Sequence, residues 1–156
     1  MSGILQALLT GFGGGASYDP YFQNVSLLLH MDGTNGGTTF TDSSNYASPA
    51  TVSGSVTNST TQVKFGTTSA YFSGTNPFLS YPNSSVYNFG NGDFTVEFWV
   101  YYPSTTDYCS IGCKQFRTSG WHIEIYRVGS NCQIVYYTEH GGTYESVSYT
   151  HLTLPT

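Results

Sequence analysis

A chain of 156 residues is one domain's worth and long enough to bury a sizeable core. Aromatic residues make up 17% and charged residues only 8%, with 18 glycines and many Ser, Thr and Asn between apolar runs, a composition that suits strands and turns. Four basic against nine acidic residues leave a formal charge of −5, which excludes the clustered Lys and Arg that nucleic acid requires, and no run is long and apolar enough for a bilayer-crossing helix.

Residues 1–24 read as a separate element. Ile4, Leu5, Leu8 and Leu9 recur at helical spacing, and the glycines from Gly11 to Gly15 break the pattern into a joint. The segment lacks the basic residue and the long apolar core of a signal peptide. It is either a docking peptide or a frayed terminus.

The body alternates strand and turn signals. Strands are predicted over Val25 to Met31, Ser69 to Ser73, Phe78 to Tyr81, Phe94 to Tyr102, Trp121 to Val128, Cys132 to Thr138 and Thr143 to Val147. Turns are predicted at Asp32-Gly33, Asn35-Gly36-Gly37, Gly74-Thr75-Asn76-Pro77, Gly90-Asn91-Gly92, Gly129-Ser130-Asn131 and Gly141-Gly142. The region from Thr38 to Gln62, dense in Ser, Thr and Asn, reads as short strands and loops. Trp121 to Thr138 reads as a hairpin. In the strand after Gly92, Phe94, Val96, Phe98 and Val100 would face a core while Thr95, Glu97, Trp99 and Tyr101 face the other way. No long amphipathic helix interrupts the body, which excludes parallel βαβ folds.

Three blocks carry a family resemblance. An apolar strand closes on an acidic-glycine turn in Leu27-Leu28-Leu29-His30-Met31-Asp32-Gly33. Lys64-Phe65-Gly66-Thr67-Thr68-Ser69-Ala70-Tyr71-Phe72-Ser73-Gly74 follows, and then Phe89-Gly90-Asn91-Gly92-Asp93-Phe94-Thr95-Val96-Glu97-Phe98-Trp99-Val100. In this order the blocks resemble the laminin G-like branch of the concanavalin A-like lectin and glucanase superfamily. The resemblance covers residues 25–147 and implies an all-β, antiparallel two-sheet β-sandwich of jelly-roll type. It leaves function open, because this fold carries lectins, adhesion modules and enzymes.

Two further resemblances concern the termini. Short tags like residues 1–24 resemble those preceding laminin G-like modules in phage virion proteins. That implies a virion location after synthesis in the host cytoplasm, with other virion proteins as partners of the tag. Residues 148–156, Ser148-Tyr149-Thr150-His151-Leu152-Thr153-Leu154-Pro155-Thr156, resemble a translated sequencing adapter. The expectation is a sandwich C-terminally truncated near Val147 with a non-native tail.

Polysaccharide hydrolysis needs two carboxylates placed on either side of one glycosidic bond. Glu97 and Glu124 each stand alone on their strands, so catalysis would need cross-strand pairing of the two; one polar position per strand is the simpler reading, and no enzyme is predicted. Calcium is the candidate cofactor. Asp32 and Asp93 sit at glycine turns near the rim where the resemblance places calcium in several family members, and Asp42 is a third candidate. The same carboxylates could instead cap strand ends as Asx turns. Cys109, Cys113 and Cys132 cannot all pair in one chain, and free thiols or one disulfide are both open.

Sugar recognition uses flat aromatic faces beside hydrogen-bonding groups. Aromatic candidates include Trp99, Tyr101, Trp121, Tyr126, Tyr136 and Tyr137, of which at least half would be core in a sandwich, the two tryptophans first. Tyr108, Tyr137, His140 and Tyr144 are the predicted ligand-binding residues. The predicted function is a noncatalytic carbohydrate- or surface-binding module of a phage virion or tail-associated protein, with a cell-surface glycan or polysaccharide as partner. A structural decoration domain without glycan binding is the alternative.

Overall fold

A computed structural model of the chain describes residues 19–90, 92–101, 108–114, 120–128, 131–140 and 143–149. The predicted N-terminal helix and glycine joint, and residues 150–156 of the predicted tail, lie outside them. The chain is all-β with two antiparallel sheets, consistent with a β-sandwich, and its helical content among the described residues is two single 3-10 turns, Phe22–Asn24 and Ser85–Tyr87. It divides into two compact units, Met1–Trp99 and Val100–Thr156.

The first unit holds a two-stranded sheet of β1 (Thr51–Ser59) and β2 (Ser69–Ser80). Val56 pairs with Phe72 and Asn58 with Ala70. Among the described residues of this unit the buried apolar side chains are Val25, Phe40 and Val56. The two strands predicted on either side of Gly74-Thr75-Asn76-Pro77 are one strand, β2. The turn residues act as a bulge inside it: Ser53 pairs with Phe78 and Ser55 with Ser73, so Gly74 to Pro77 stand opposite Gly54. Gly54, Gly74 and Asn76 all take positive φ, and a Cβ on Gly54 would meet the Pro77 Cα at 3.1 Å.

Two predicted strands of this unit do not form. Between Val25 and Met31 the ladder is reduced to one bridge, Leu29 to Asp42, because the Leu28 N–H donates to the Asp42 carboxylate (3.0 Å). Met31 then takes a left-handed φ of 58°, which ends the extended run. Residues 93–101 carry no strand either. Their alternation specifies two faces, but a strand exists only with a hydrogen-bonded neighbour. Phe94, Val96 and Val100, predicted core, are exposed, and Phe94 stacks on Phe89 at 4.2 Å.

The second unit is a meander of four antiparallel strands: β3 (Tyr108–Lys114), β4 (Trp121–Val128), β5 (Asn131–His140) and β6 (Thr143–Tyr149). The predicted hairpin forms with Trp121 opposite Thr138 and Ile125 opposite Ile134. β3 was absent from the predicted elements, since Tyr-Cys-Ser-Ile-Gly-Cys-Lys has a single β-branched residue and a central glycine. β6 extends past the predicted end at Val147, with Ser148 opposite Val135 and Tyr149 opposite Ile134. Direct cross-strand partners share a face, so one face carries Cys109, Ile123, Ile125, Ile134, Tyr136 and Val147. The other carries Tyr108, Ser110, His122, Glu124, Tyr126, Gln133, Val135, Tyr137, Ser146 and Ser148.

Candidate functional site

The polar face of the second sheet is built by register. A bulge in β3 between Ser110 and Gly112 keeps Tyr108 opposite Tyr126 and Ser110 opposite Glu124. β5 then sets Gln133 beside Tyr126, Val135 beside Glu124 and Tyr137 beside His122. Glu124, 4% exposed, lies at the centre. The Tyr108 hydroxyl donates to its Oε1 at 2.6 Å, and the Tyr126 hydroxyl donates to its Oε2. The Tyr137 hydroxyl donates in turn to the Tyr126 oxygen at 3.4 Å, and His122 Nε2 lies 3.4 Å from Glu124 Oε1. The bond to Glu124 first, then that from Tyr137, and then burial hold the Tyr126 hydroxyl far above the usual phenol range.

The rings are placed as firmly as the hydroxyls. Tyr137 stacks on His122 with centroids 4.4 Å apart and planes 18° apart, and Tyr108 tilts against Tyr126 at 5.3 Å. Beside them an open cleft of about 470 Å³ is lined by Tyr126, Arg127, Gln133, Val135, Tyr137, Ser146 and Ser148. Aromatic rings next to amide and hydroxyl groups are the components that hold a polyhydroxylated ring.

Of the predicted ligand-binding residues, Tyr108 and Tyr137 are brought together here through Glu124 and Tyr126. His140 and Tyr144 stand at the β5–β6 end, opposite Thr143 and Glu139, and their side chains lie outside the described residues. Glu124 and Glu97 are not cross-strand partners, since Glu124 faces Ser110 and Val135 and Glu97 lies in no strand. His122 and the central role of Glu124 were missed. The signal was available, because 122, 124 and 126 alternate on one face of a hairpin with clear turn residues.

The three aspartates lie in the first unit. Asp42, 4% exposed, accepts from the N–H groups of Leu28 and Ser44 through Oδ1, and from the Ser44 hydroxyl and the Ser48 N–H through Oδ2, all at 2.9 to 3.0 Å. Burial pushes its carboxyl up, but those donors together outweigh burial and hold it below the ordinary value. Asp32 Oδ1 accepts from the Thr67 N–H at 2.7 Å and from the Thr67 hydroxyl and Thr68 N–H at 3.3 Å, and its carboxyl is lowered chiefly by the Thr67 N–H. Gly66 turns against it with φ of 72°, where a Cβ would fall 2.2 Å from Asp32 Oδ1. Two of the three sequence blocks are thus one contact. Asp93 is exposed at the start of the 93–101 segment. No group of three or more His, Cys, Asp or Glu that could hold a metal occurs among the described residues. The cysteines are free thiols, with burial pushing Cys109 and Cys113 up.

The model of the family described as Clostridium neurotoxin, N-terminal receptor binding, matches residues 37–141, well over half of the chain, and the chain belongs to this family. The match takes in β1 to β5 and with them Tyr108, Glu124, Tyr126 and Tyr137. No curated protein and no solved structure shows a significant match.

Proposed function

We propose that the chain is a noncatalytic binding module whose ligand is a cell-surface glycan, seated on the tyrosine face of β3 to β6. The observation that carries this reading is the buried carboxylate of Glu124 orienting Tyr108 and Tyr126, with Tyr137 in series, beside a cleft lined also by Gln133, Ser146 and Ser148. Both Glu124 oxygens accept from phenols, an arrangement that fixes rings in place of the acid–base pair a hydrolase uses. Membership of a family named for receptor binding supports a surface partner. The laminin G-like resemblance supports a phage virion as the setting, with residues 1–24 attaching the module to other virion proteins. A second reading, an interaction domain without glycan binding, is favoured by the exposed aromatics of β2, where Tyr71, Phe72 and Phe78 are about half exposed.

A glycan array probed with the intact chain and with Tyr137→Ala separates the two. Saccharide signals that disappear in the variant support the tyrosine face. An array without signal, alongside self-association or protein capture that depends on Phe72, supports the interaction domain.

A further inference from the structure

The first unit presents a second arrangement that the tyrosine face does not use. Trp99, predicted core, is 68% exposed. The Lys64 ammonium lies 4.7 Å from the centroid of its ring and 6.0 Å from that of Phe65, and Phe65 meets Trp99 edge-on at 5.5 Å and 75°. Among the described residues no carboxylate lies within ion-pair distance of Lys64. Lys64 and Phe65 lead directly into Gly66, whose turn is capped by the Asp32 carboxylate through Thr67 and Thr68. An exposed indole, an unneutralised cation against it and an aromatic wall make a recognition surface.

We propose that Lys64, Phe65 and Trp99 form a binding site for a sugar ring bearing a carboxylate, such as a hexuronate. The sugar carboxylate draws the Lys64 ammonium from over the indole into an ion pair, and the C–H face of the pyranose takes its place on the indole, bounded by Phe65. The charge decides the ligand class. A neutral sugar would leave the ammonium unused, and an anionic bilayer would need several basic residues, where the chain has four Lys and Arg in all and a net charge of −5. Lys64 is also the one Lys or Arg among residues 1–99; the others are Lys114, Arg117 and Arg127. The site shares no residue with the tyrosine face and stands without it.

The test titrates the intact chain with galacturonate and glucuronate oligosaccharides, with a neutral malto-oligosaccharide and with phosphatidylserine-containing vesicles, by calorimetry and tryptophan fluorescence. Uronate binding is expected, weaker by about tenfold in Trp99→Ala and by about threefold in Lys64→Gln or at raised salt. It should survive Tyr137→Ala, which separates this site from the tyrosine face. Absence of uronate binding, equal binding of the neutral oligosaccharide, wild-type affinity in both Trp99→Ala and Lys64→Gln, loss in Tyr137→Ala, or vesicle binding that depends on Trp99 would each overturn the proposal. Both substituted side chains are exposed, and unchanged melting temperatures verify that the variants fold.

Discussion

Asp42 in the first unit and Glu124 in the second are equally buried carboxylates used in opposite ways. Asp42 accepts mainly from backbone N–H groups, those of Leu28, Ser44 and Ser48, and so determines the path of the chain around it. Glu124 accepts from the side-chain hydroxyls of Tyr108 and Tyr126, and so determines where rings stand on a sheet whose backbone is already paired. A carboxylate that holds backbone is a structural element. One that holds aromatic side chains on an accessible face organises a surface for something else.

The sharpest break between the two roles is in stability. Asp42→Ala leaves three N–H groups and a buried serine hydroxyl without their acceptor, and a loss of about 3 kcal/mol is expected in denaturant unfolding. Gly66→Ala forces a side chain into a left-handed backbone and against the Asp32 carboxylate, with an expected cost of about 2 kcal/mol. Glu124→Gln keeps a carbonyl acceptor and the same shape, so about 1 kcal/mol is expected, together with loss of glycan binding as the rings lose their orientation. If Glu124→Gln cost as much as Asp42→Ala, the distinction between the two carboxylates would fail.

Acid probes the carboxylates that hold backbone. The Asp32 and Asp42 carboxyls are both lowered in the folded chain, so the unfolded chain binds more protons as the pH falls. Their contribution is fully present above the unfolded value of about 3.9 and is lost as the pH drops through the folded values. Unfolding followed between neutral pH and strong acid should show this dependence weakened in Asp42→Asn. The smallest effect concerns Tyr81, whose hydroxyl is buried without a partner and is pushed up to about 12 by burial, then by Asp42 and Tyr87. Tyr81→Phe removes an unsatisfied group and is expected to be neutral or stabilising by up to about 1 kcal/mol.

Much of this was legible in the sequence where local chemistry decides the outcome. The Trp121 to Thr138 hairpin follows from alternation around Gly129-Ser130-Asn131; Tyr108 and Tyr137 read as exposed aromatics, and Tyr108 is exposed while Tyr137 is half-buried against His122. Gly74-Thr75-Asn76-Pro77 was read as a turn because its residues favour positive φ, and they do adopt it, within a bulge that only the partner strand reveals. The same limit explains residues 94–101, where alternation was clear but pairing is a property of two segments. It explains Glu124 too, since a glutamate alone on its strand becomes a centre only when register sets Tyr108 on β3 and Tyr137 on β5 around it.

The central claim, that the Glu124-organised tyrosine face is a glycan-binding surface, is tested most directly by amide chemical-shift mapping of the intact chain titrated with a neutral saccharide identified on the array. The perturbations should concentrate on Tyr108, Glu124, Tyr126, Gln133 and Tyr137 and vanish in Tyr137→Ala. Shifts confined to other residues, or shifts on this face that persist unchanged in Tyr137→Ala, would contradict it.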